Sequence, residues 1–316
     1  MRALVLVAAA IVALSVTGTA AADGLPVLGI DVGQQGVTAS GSPDRYVTIN
    51  DGEWTIVERV ARDGGRVLGW QKILGTFTIP AVAYDSSASG LSADGSTLVL
   101  IQPRQAFPRV STTFALVDAR KLRLERTFTL RGDFSFDAVS PRGKKMFLIN
   151  YTSPADPTRY TVRAYDLVAN ALVAKPVIDP AEKNPDKMRG APITRMLSPD
   201  GRWAYTLYDG AGSEPFVHAL DTATSRAHCI DLPMLVGNQA LWDLRFTRGP
   251  GTQLRIGTSG QALAVVDTST FAASIPSVSP PSNLWPWLIA AALAALTLLV
   301  ALAATRRRFG GRPAPA

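Results

Sequence analysis

From Gly33 to Ile275 the chain is a succession of short apolar runs with the alternation of strands rather than the period of helices, punctuated by Gly, Pro, Asp and Ser. The segment Ala191 to Leu232 shows the pattern most fully and predicts four strands, at Ala191 to Met196, Trp203 to Tyr208, Pro215 to Leu220 and Arg226 to Leu232. The first two are joined by Ser198-Pro199-Asp200-Gly201, where Asp favours the turn and Gly supplies a positive φ. The last two are joined by a polar hairpin, Asp221 to Ser225. Upstream, the same reading gives Pro80 to Tyr84, Ser96 to Gln102, Thr112 to Val117 and Leu122 to Leu130, then Phe134 to Val139, Lys145 to Tyr151, Arg159 to Asp166 and Ala171 to Ile178. Downstream it gives Ala240 to Phe246, Thr252 to Thr258, Gln261 to Val266 and a weak Phe271 to Ile275.

Two marks recur in step along these strands. A small-residue turn after an apolar stretch falls at Ser42, Ser92, Ser140, Ser198 and Thr247, with spacings of 50, 48, 58 and 49. An aspartate, mostly at the end of a strand, falls at Asp63, Asp118, Asp166, Asp221 and Asp267, with spacings of 55, 48, 55 and 46. Two series in phase imply one unit copied five times, and four strands per unit without an intervening amphipathic helix define the blade of an all-β propeller. Five blades is the expected count, with six or seven open if Asp51 to Asp85 hides a further unit. Leu25 to Val32 is expected to complete the last blade and close the ring.

The turn-strand SPDGRWAYTLYD and the strand-turns FVHALDTAT and LAVVDTSTF resemble the YVTN-type and TolB-type propeller repeats of bacterial envelope proteins. The resemblance runs roughly from Gly33 to Phe271. It implies a fold and carries over no catalytic residue, since propellers include scaffolds, binding proteins and a few enzymes.

The chain ends change what the charge means. Met1 to Ala22 reads as a secretory signal, with Arg2, an apolar run and a small-residue cleavage site. Leu284 to Ala304 is 21 residues without a charge, about 32 Å of helix, and predicts one membrane span. Trp285 and Trp287 sit at its entry, and Arg306, Arg307 and Arg308 follow it, which orients residues 23–275 outside and the tail 305–316 in the cytoplasm. Residues 276–283, rich in Pro and Ser, read as a stalk. Of 32 basic residues, Arg2, Arg306, Arg307, Arg308 and Arg312 belong to these ends, so 27 face 25 acidic residues in the exported part, a net of +2. The basic balance therefore reports targeting, not a nucleic-acid surface. Cys229 stands alone, so no internal disulfide is available.

Candidate chemistry is sparse. His218 and His228 are the two histidines, and both lie near Cys229, so the three are candidates for a metal or redox site, or else pack within one blade with His228 facing solvent. The hairpin Asp221 to Ser225 sets His218 opposite His228 or Cys229 according to register, while alternation sends His228 and Cys229 to opposite faces. Asp85, Asp137 and Asp243 fall near innermost strands and are candidates for a cation at the disc axis, as a lactonase- or hydrolase-like enzyme would require. Turn capping explains the same three residues. No G-x-S-x-G elbow and no Gly-rich phosphate loop occur, and no cofactor is implied. The insertion Asp179 to Gly190, with Lys183, Asp186, Lys187 and Arg189, is a candidate partner-binding loop, as is RQAFPR with Arg104 and Phe107. The expected role is a membrane-anchored binding or scaffolding module for an envelope protein or an extracellular ligand, with the axial enzyme as alternative.

Overall fold

A computed structural model describes residues 36–182, 188–276, 289 and 292–299. It divides the chain into two units, Met1–Ile275 and Pro276–Ala316. In the second, Ile289 and residues 292–299 are helical, and Leu293, Leu296, Leu298 and Leu299 are exposed. No helix among the described residues is long and apolar enough to cross a membrane. The signal segment, Leu25 to Val32, most of the stalk, Trp285, Trp287 and Arg306 to Arg308 lie outside the described residues.

Among the described residues the first unit holds five sheets, met one after another along the chain. The first comprises β1 (Asp44–Asp51), β2 (Trp54–Ala61) and β3 (Val67–Leu74). The second has β4 (Thr97–Ile101), β5 (Ser111–Asp118) and β6 (Arg123–Arg131). The third has β7 (Phe134–Val139), β8 (Lys145–Tyr151), β9 (Tyr160–Asp166) and β10 (Ala171–Val177). The fourth has β11 (Pro192–Leu197), β12 (Trp203–Tyr208), β13 (Phe216–Asp221) and β14 (Arg226–Asp231). The fifth has β15 (Arg245–Arg248), β16 (Gln253–Thr258), β17 (Gln261–Asp267) and β18 (Ala273–Ser274). Every sheet is an antiparallel meander of sequence neighbours. The segment Asp51 to Asp85 supplies β2 and β3, so it hides no further unit.

The two sequence marks are turns in most of the units, although Thr247 lies within β15 rather than in a turn and Asp63 falls past the end of β2. At the first, Ser92 Oγ accepts from Thr97 N (3.0 Å), Ser140 Oγ from Lys145 N (2.9 Å) and Ser198 Oγ from Trp203 N (2.8 Å), so the hydroxyl fixes the start of the next strand. Gly201 takes φ 67° in this turn and packs against Ala93 of the second sheet's equivalent turn, a place no side chain fits. At the second mark, Asp166 Oδ1 accepts from Val168 N and Ala169 N, and Asp221 Oδ1 from Ala223 N and Thr224 N. Four positions after each strand-ending aspartate the backbone turns left-handed, at Leu122, Asn170, Ser225 and Phe271. That shared geometry sets one hairpin register for the last two strands of these units.

Two predicted strands are corrected. Pro80 to Tyr84 is not a strand beside β4. Thr78 bridges Ile101 and Leu91 bridges Leu98, while residues 79–90 leave the sheet between them. Tyr84 N and Asp85 N instead donate to Pro192 O (2.8 Å) and Ile193 O (3.1 Å) of the fourth sheet, and Val82 joins the apolar cluster of Phe134 and Phe136. Ala240 to Phe246 begins as a helical turn, Leu241–Asp243, and only then becomes β15. Pro80 explains the first departure, because proline donates no ladder hydrogen bond.

Apolar clusters fill the spaces between consecutive sheets: Val57, Ile73, Leu98 and Val117 between the first and second, and Phe114, Phe136 and Leu148 between the second and third. Phe147, Val162, Ala204 and Leu220 lie between the third and fourth, and Leu207, Val217, Phe246 and Ile256 between the fourth and fifth. Among the described residues no cluster joins the fifth sheet to the first, and Trp70 and Leu74 on the first sheet remain exposed.

Candidate functional site

Residues 79–90 reach the third and fourth sheets, and ion pairs lie around them. Asp137, at the bulge in β7, binds the guanidinium of Arg195 in β11, and both side chains are almost fully buried. Asp85 Oδ1 accepts from Ser87 N (3.0 Å), and its Oδ2 lies 3.4 Å from Arg245 Nε. Tyr84 meets Trp242 edge-on, with centroids 4.9 Å apart. Asp243 sits in the helical turn before β15. Of the three carboxylates expected near an axis, Asp137 and Asp85 are thus each paired with an arginine.

The RQAFPR loop is also folded inward. Arg104 is buried against Asp133, and its guanidinium lies 4.6 Å over the Tyr151 ring and 5.1 Å over the Phe107 ring. Phe107 in turn meets Tyr151 edge-on at 5.6 Å. Here it begins a file of rings through Tyr151, Tyr160 and Tyr208 that crosses from the second sheet to the fourth.

That file ends beside a cavity of about 180 Å³ between the third and fourth sheets. Its apolar wall is Val162 of β9, Val177 of β10, Met188 and Phe216 of β13. Among the described residues its carboxylates are Asp179, Glu182, Glu214 and Asp231, and its arginine is Arg189. His218 and Cys229 complete the wall. The insertion contributes Asp179, Glu182, Met188 and Arg189, whereas Lys183, Asp186 and Lys187 lie outside the described residues. Two other cavities, between the first and second sheets and between the fourth and fifth, are lined largely by the repeating Ser turns.

Register decides what the two histidines do. In the hairpin of β13 and β14, His218 pairs with Cys229 and Ala219 with His228. His218 Nδ1 lies 3.9 Å from Cys229 Sγ, whereas His228 stacks on Phe271 with centroids 4.2 Å apart. Burial pushes His218 down to about 4, with the nearby Asp137 carboxylate opposing. Burial, then the Glu182, Asp179 and Asp231 carboxylates, pushes the Cys229 thiol up to about 12. At neutral pH the two form an uncharged thiol–imidazole pair, not a thiolate–imidazolium nucleophile.

The same registers align Arg195, Thr206, His218 and Cys229 across the four strands of the fourth sheet. This row faces the third sheet and runs from the Asp137 pair to the cavity. Thr206 Oγ1, His218 Nε2 and Asp137 Oδ2 are buried along it without a hydrogen-bond partner. Asp179 closes its outer end, accepting from Cys229 N (2.8 Å) and Ala181 N (2.9 Å). Burial also raises the Glu182 carboxyl above the usual range, and Asp231 and Asp179 add to it. No group of three or more His, Cys, Asp or Glu among the described residues is arranged to hold a metal ion. The sequence brought His218, Cys229 and the insertion to notice separately. Phe216, Val162, Glu214 and Thr206 were missed, because only the packing of two sheets brings them together.

No protein-family model matches the chain, and no curated protein matches it in sequence. Among solved structures it is similar to TolB from Acinetobacter baumannii, with 13% identity and a TM-score of 0.40 over 76% of this chain and 53% of that one. It thus spans about half the length of TolB. A functionally unknown protein from Desulfotomaculum acetoxidans is 12% identical with a TM-score of 0.46, over 76% of this chain and 68% of that one. The Dos1 propeller is 11% identical with a TM-score of 0.41, over 75% and 60% respectively. The neighbours include β-propellers, and this chain is mostly β, built of successive antiparallel sheets.

Proposed function

We propose that the chain is a propeller-type binding module, exported and held to the cytoplasmic membrane by its C-terminal segment, that takes its ligand or partner at the cavity between the third and fourth sheets. The observation that carries this reading is the contrast in charge pairing. Asp85 and Asp137 each meet an arginine, whereas the described lining of the cavity gathers four carboxylates and one arginine, Arg189, around an uncharged His218 and Cys229. Concave, largely apolar walls with a few polar groups are the usual build of a binding site. Export and anchoring rest on the sequence of the two ends and on the positive-inside rule.

The test places a photoreactive amino acid in the full chain at Glu214, on the cavity, or at Val168, in the exposed turn after β9. Irradiated cells should yield an adduct from position 214 and none from 168. Equal adducts at both positions, or none at either, would remove the cavity from the reading. Protease added to intact spheroplasts should digest residues 36–276, and their protection would contradict export.

A further inference from the structure

We propose that β3, the last strand of the first sheet, pairs edge to edge with the β3 of a second copy of this chain. The five sheets end in different ways. β6 carries Arg123, Glu125 and Arg131, all exposed, β10 holds Lys175 and Pro176, β14 begins at Arg226 and ends at Asp231, and β18 is two residues long. Charges, proline and shortness are the devices that keep a sheet edge from pairing with another chain. β3 runs for eight residues, VLGWQKIL, with Lys72 as its one charge. On it Trp70 is 64% and Leu74 61% exposed.

The ladder leaves that edge free. Gly75 N donates to Glu53 O (2.7 Å), which sets the phase of pairing with β2. Ile73, Gln71 and Gly69 therefore bond to β2, while Trp70, Lys72 and Leu74 turn N–H and C=O outward. Among the described residues no strand lies beyond β3, and Lys72 O is met by the Gln71 side-chain amide (2.7 Å). The register shift beside Val60 confines regular pairing to residues 69–74. A second β3 related by a two-fold axis normal to the sheet keeps each residue on its own face and must oppose outward residues to outward residues. Centring the pair on Lys72 sets two ammonium groups opposite each other, which is unfavourable. Centring it on Trp70 sends Lys72 against the irregular Leu68, and centring it on Ile73 leaves Trp70 with no opposite residue in the strand. Centring it on Gln71 sets Lys72 of each copy opposite Trp70 of the other, twice over. The same ammonium already stands 5.2 Å over the Trp54 ring, so an indole face is within its chemistry and its reach.

Edge pairing buries little area, so the dimer should be weak and form in the micromolar range. The experiment follows the full chain in detergent by sedimentation across that range. The wild type should pass from monomer to dimer, and Trp70→Lys, at an exposed position, should shift the midpoint by roughly thirtyfold or more. Trp70→Thr keeps a strand-forming residue and should weaken the dimer too, which separates lost contact from lost folding. Gln71 meets its own copy at the two-fold with Cα atoms about 4.5 Å apart, within disulfide range. Gln71→Cys should therefore oxidise to a linked dimer, whereas Glu125→Cys on β6 should not. A monomer at every concentration, a dimer unmoved by Trp70→Lys, or no more disulfide at position 71 than at 125 would each overturn the proposal. A photoreactive residue at position 74 should link two copies of the chain. A link within one chain would give the edge to another segment of that chain, and a link to a different protein would give it to a foreign strand; either result also overturns the proposal.

Discussion

The fourth sheet has two faces made from alternate residues of the same four strands, and they are built on opposite principles. Toward the fifth sheet it presents Tyr205, Leu207, Val217, Ala219 and Ile230, packed with Leu244, Phe246, Leu254 and Ile256 in one continuous apolar cluster. Toward the third sheet it presents Arg195, Thr206, His218 and Cys229 in a row, with apolar residues only on either side. The first face does what every sheet interface here must do, which is to remove apolar area from water. The second gives up part of that area for polar groups that are not all satisfied. The polar row ends at the cavity, and it separates the two faces of a single sheet.

The largest effect tests the inner end of the row. Arg195 and Asp137 are both nearly fully buried, so neither charge has solvent to replace a lost partner. Arg195→Met should destabilise the protein by about 3–5 kcal/mol, read as a fall in the denaturant midpoint. The double change Arg195→Met with Asp137→Leu should recover much of that loss, because it removes the stranded carboxylate as well. A double variant as unstable as the single would show that packing, not charge, holds this point. The corresponding break on the apolar face, Leu207→Ala, should cost about 2–5 kcal/mol, and no second substitution in the fifth sheet should restore it.

The middle of the row gives a pH test of intermediate size. His218 is pushed by burial from 6.5 to about 4, so the folded state holds it neutral while the unfolded chain takes up a proton below about 6.5. The unfolded state then binds more protons, and stability falls as pH drops from about 6.5 to about 4, by on the order of 3 kcal/mol in all. Above pH 6.5 the residue contributes no pH dependence. Asp200 and Asp221 are held below the usual carboxylate range, Asp200 chiefly by its Ser198 hydrogen bond and Asp221 by its Arg202 hydrogen bond against opposing burial. Their contribution is present above their unfolded value of 3.8 and is lost only as pH falls below it. The windows are therefore distinct. His218→Leu should flatten the stability profile between pH 6.5 and 4 and leave the steeper fall below it, measured by denaturant midpoints across that range. An unchanged slope would mean that His218 is protonated in the folded protein.

What the sequence made legible follows from the range of each interaction. The turns are local: Ser198 binds Trp203 N and Asp221 binds Ala223 N and Thr224 N, so their residue types repeat and the repeat can be read. The left-handed residues four places after the aspartates are equally local, but Leu122, Asn170, Ser225 and Phe271 share no side-chain chemistry that announces them. Had that turn length been recognised, pairing Asp221 with Arg226 would have set His218 against Cys229 rather than His228. The diversion of residues 79–90 was hidden for a different reason. Its partners Pro192, Ile193 and Arg245 are more than a hundred positions away, and no periodicity reports them. The cavity is less legible still, since it needs two sheets and an insertion to form its wall.

The smallest expected effect is the most discriminating between the two faces, because it compares neighbours on one strand. Thr206 and Leu207 are adjacent in β12, both fully buried, and point to opposite sheets. Leu207 fills the apolar cluster, so its truncation leaves a cavity. Thr206 has the shape of Val, and its hydroxyl makes no hydrogen bond. Thr206→Val therefore keeps the volume and removes a polar atom that burial penalises, so stability should change by less than about 1 kcal/mol and in the stabilising direction. If an ordered water bridges Thr206 to the unpaired Asp137 Oδ2 or His218 Nε2, the same change removes a hydrogen bond and destabilises by about 1 kcal/mol instead. The sign of this one substitution thus reports whether the polar row is dry or carries solvent inward from the cavity.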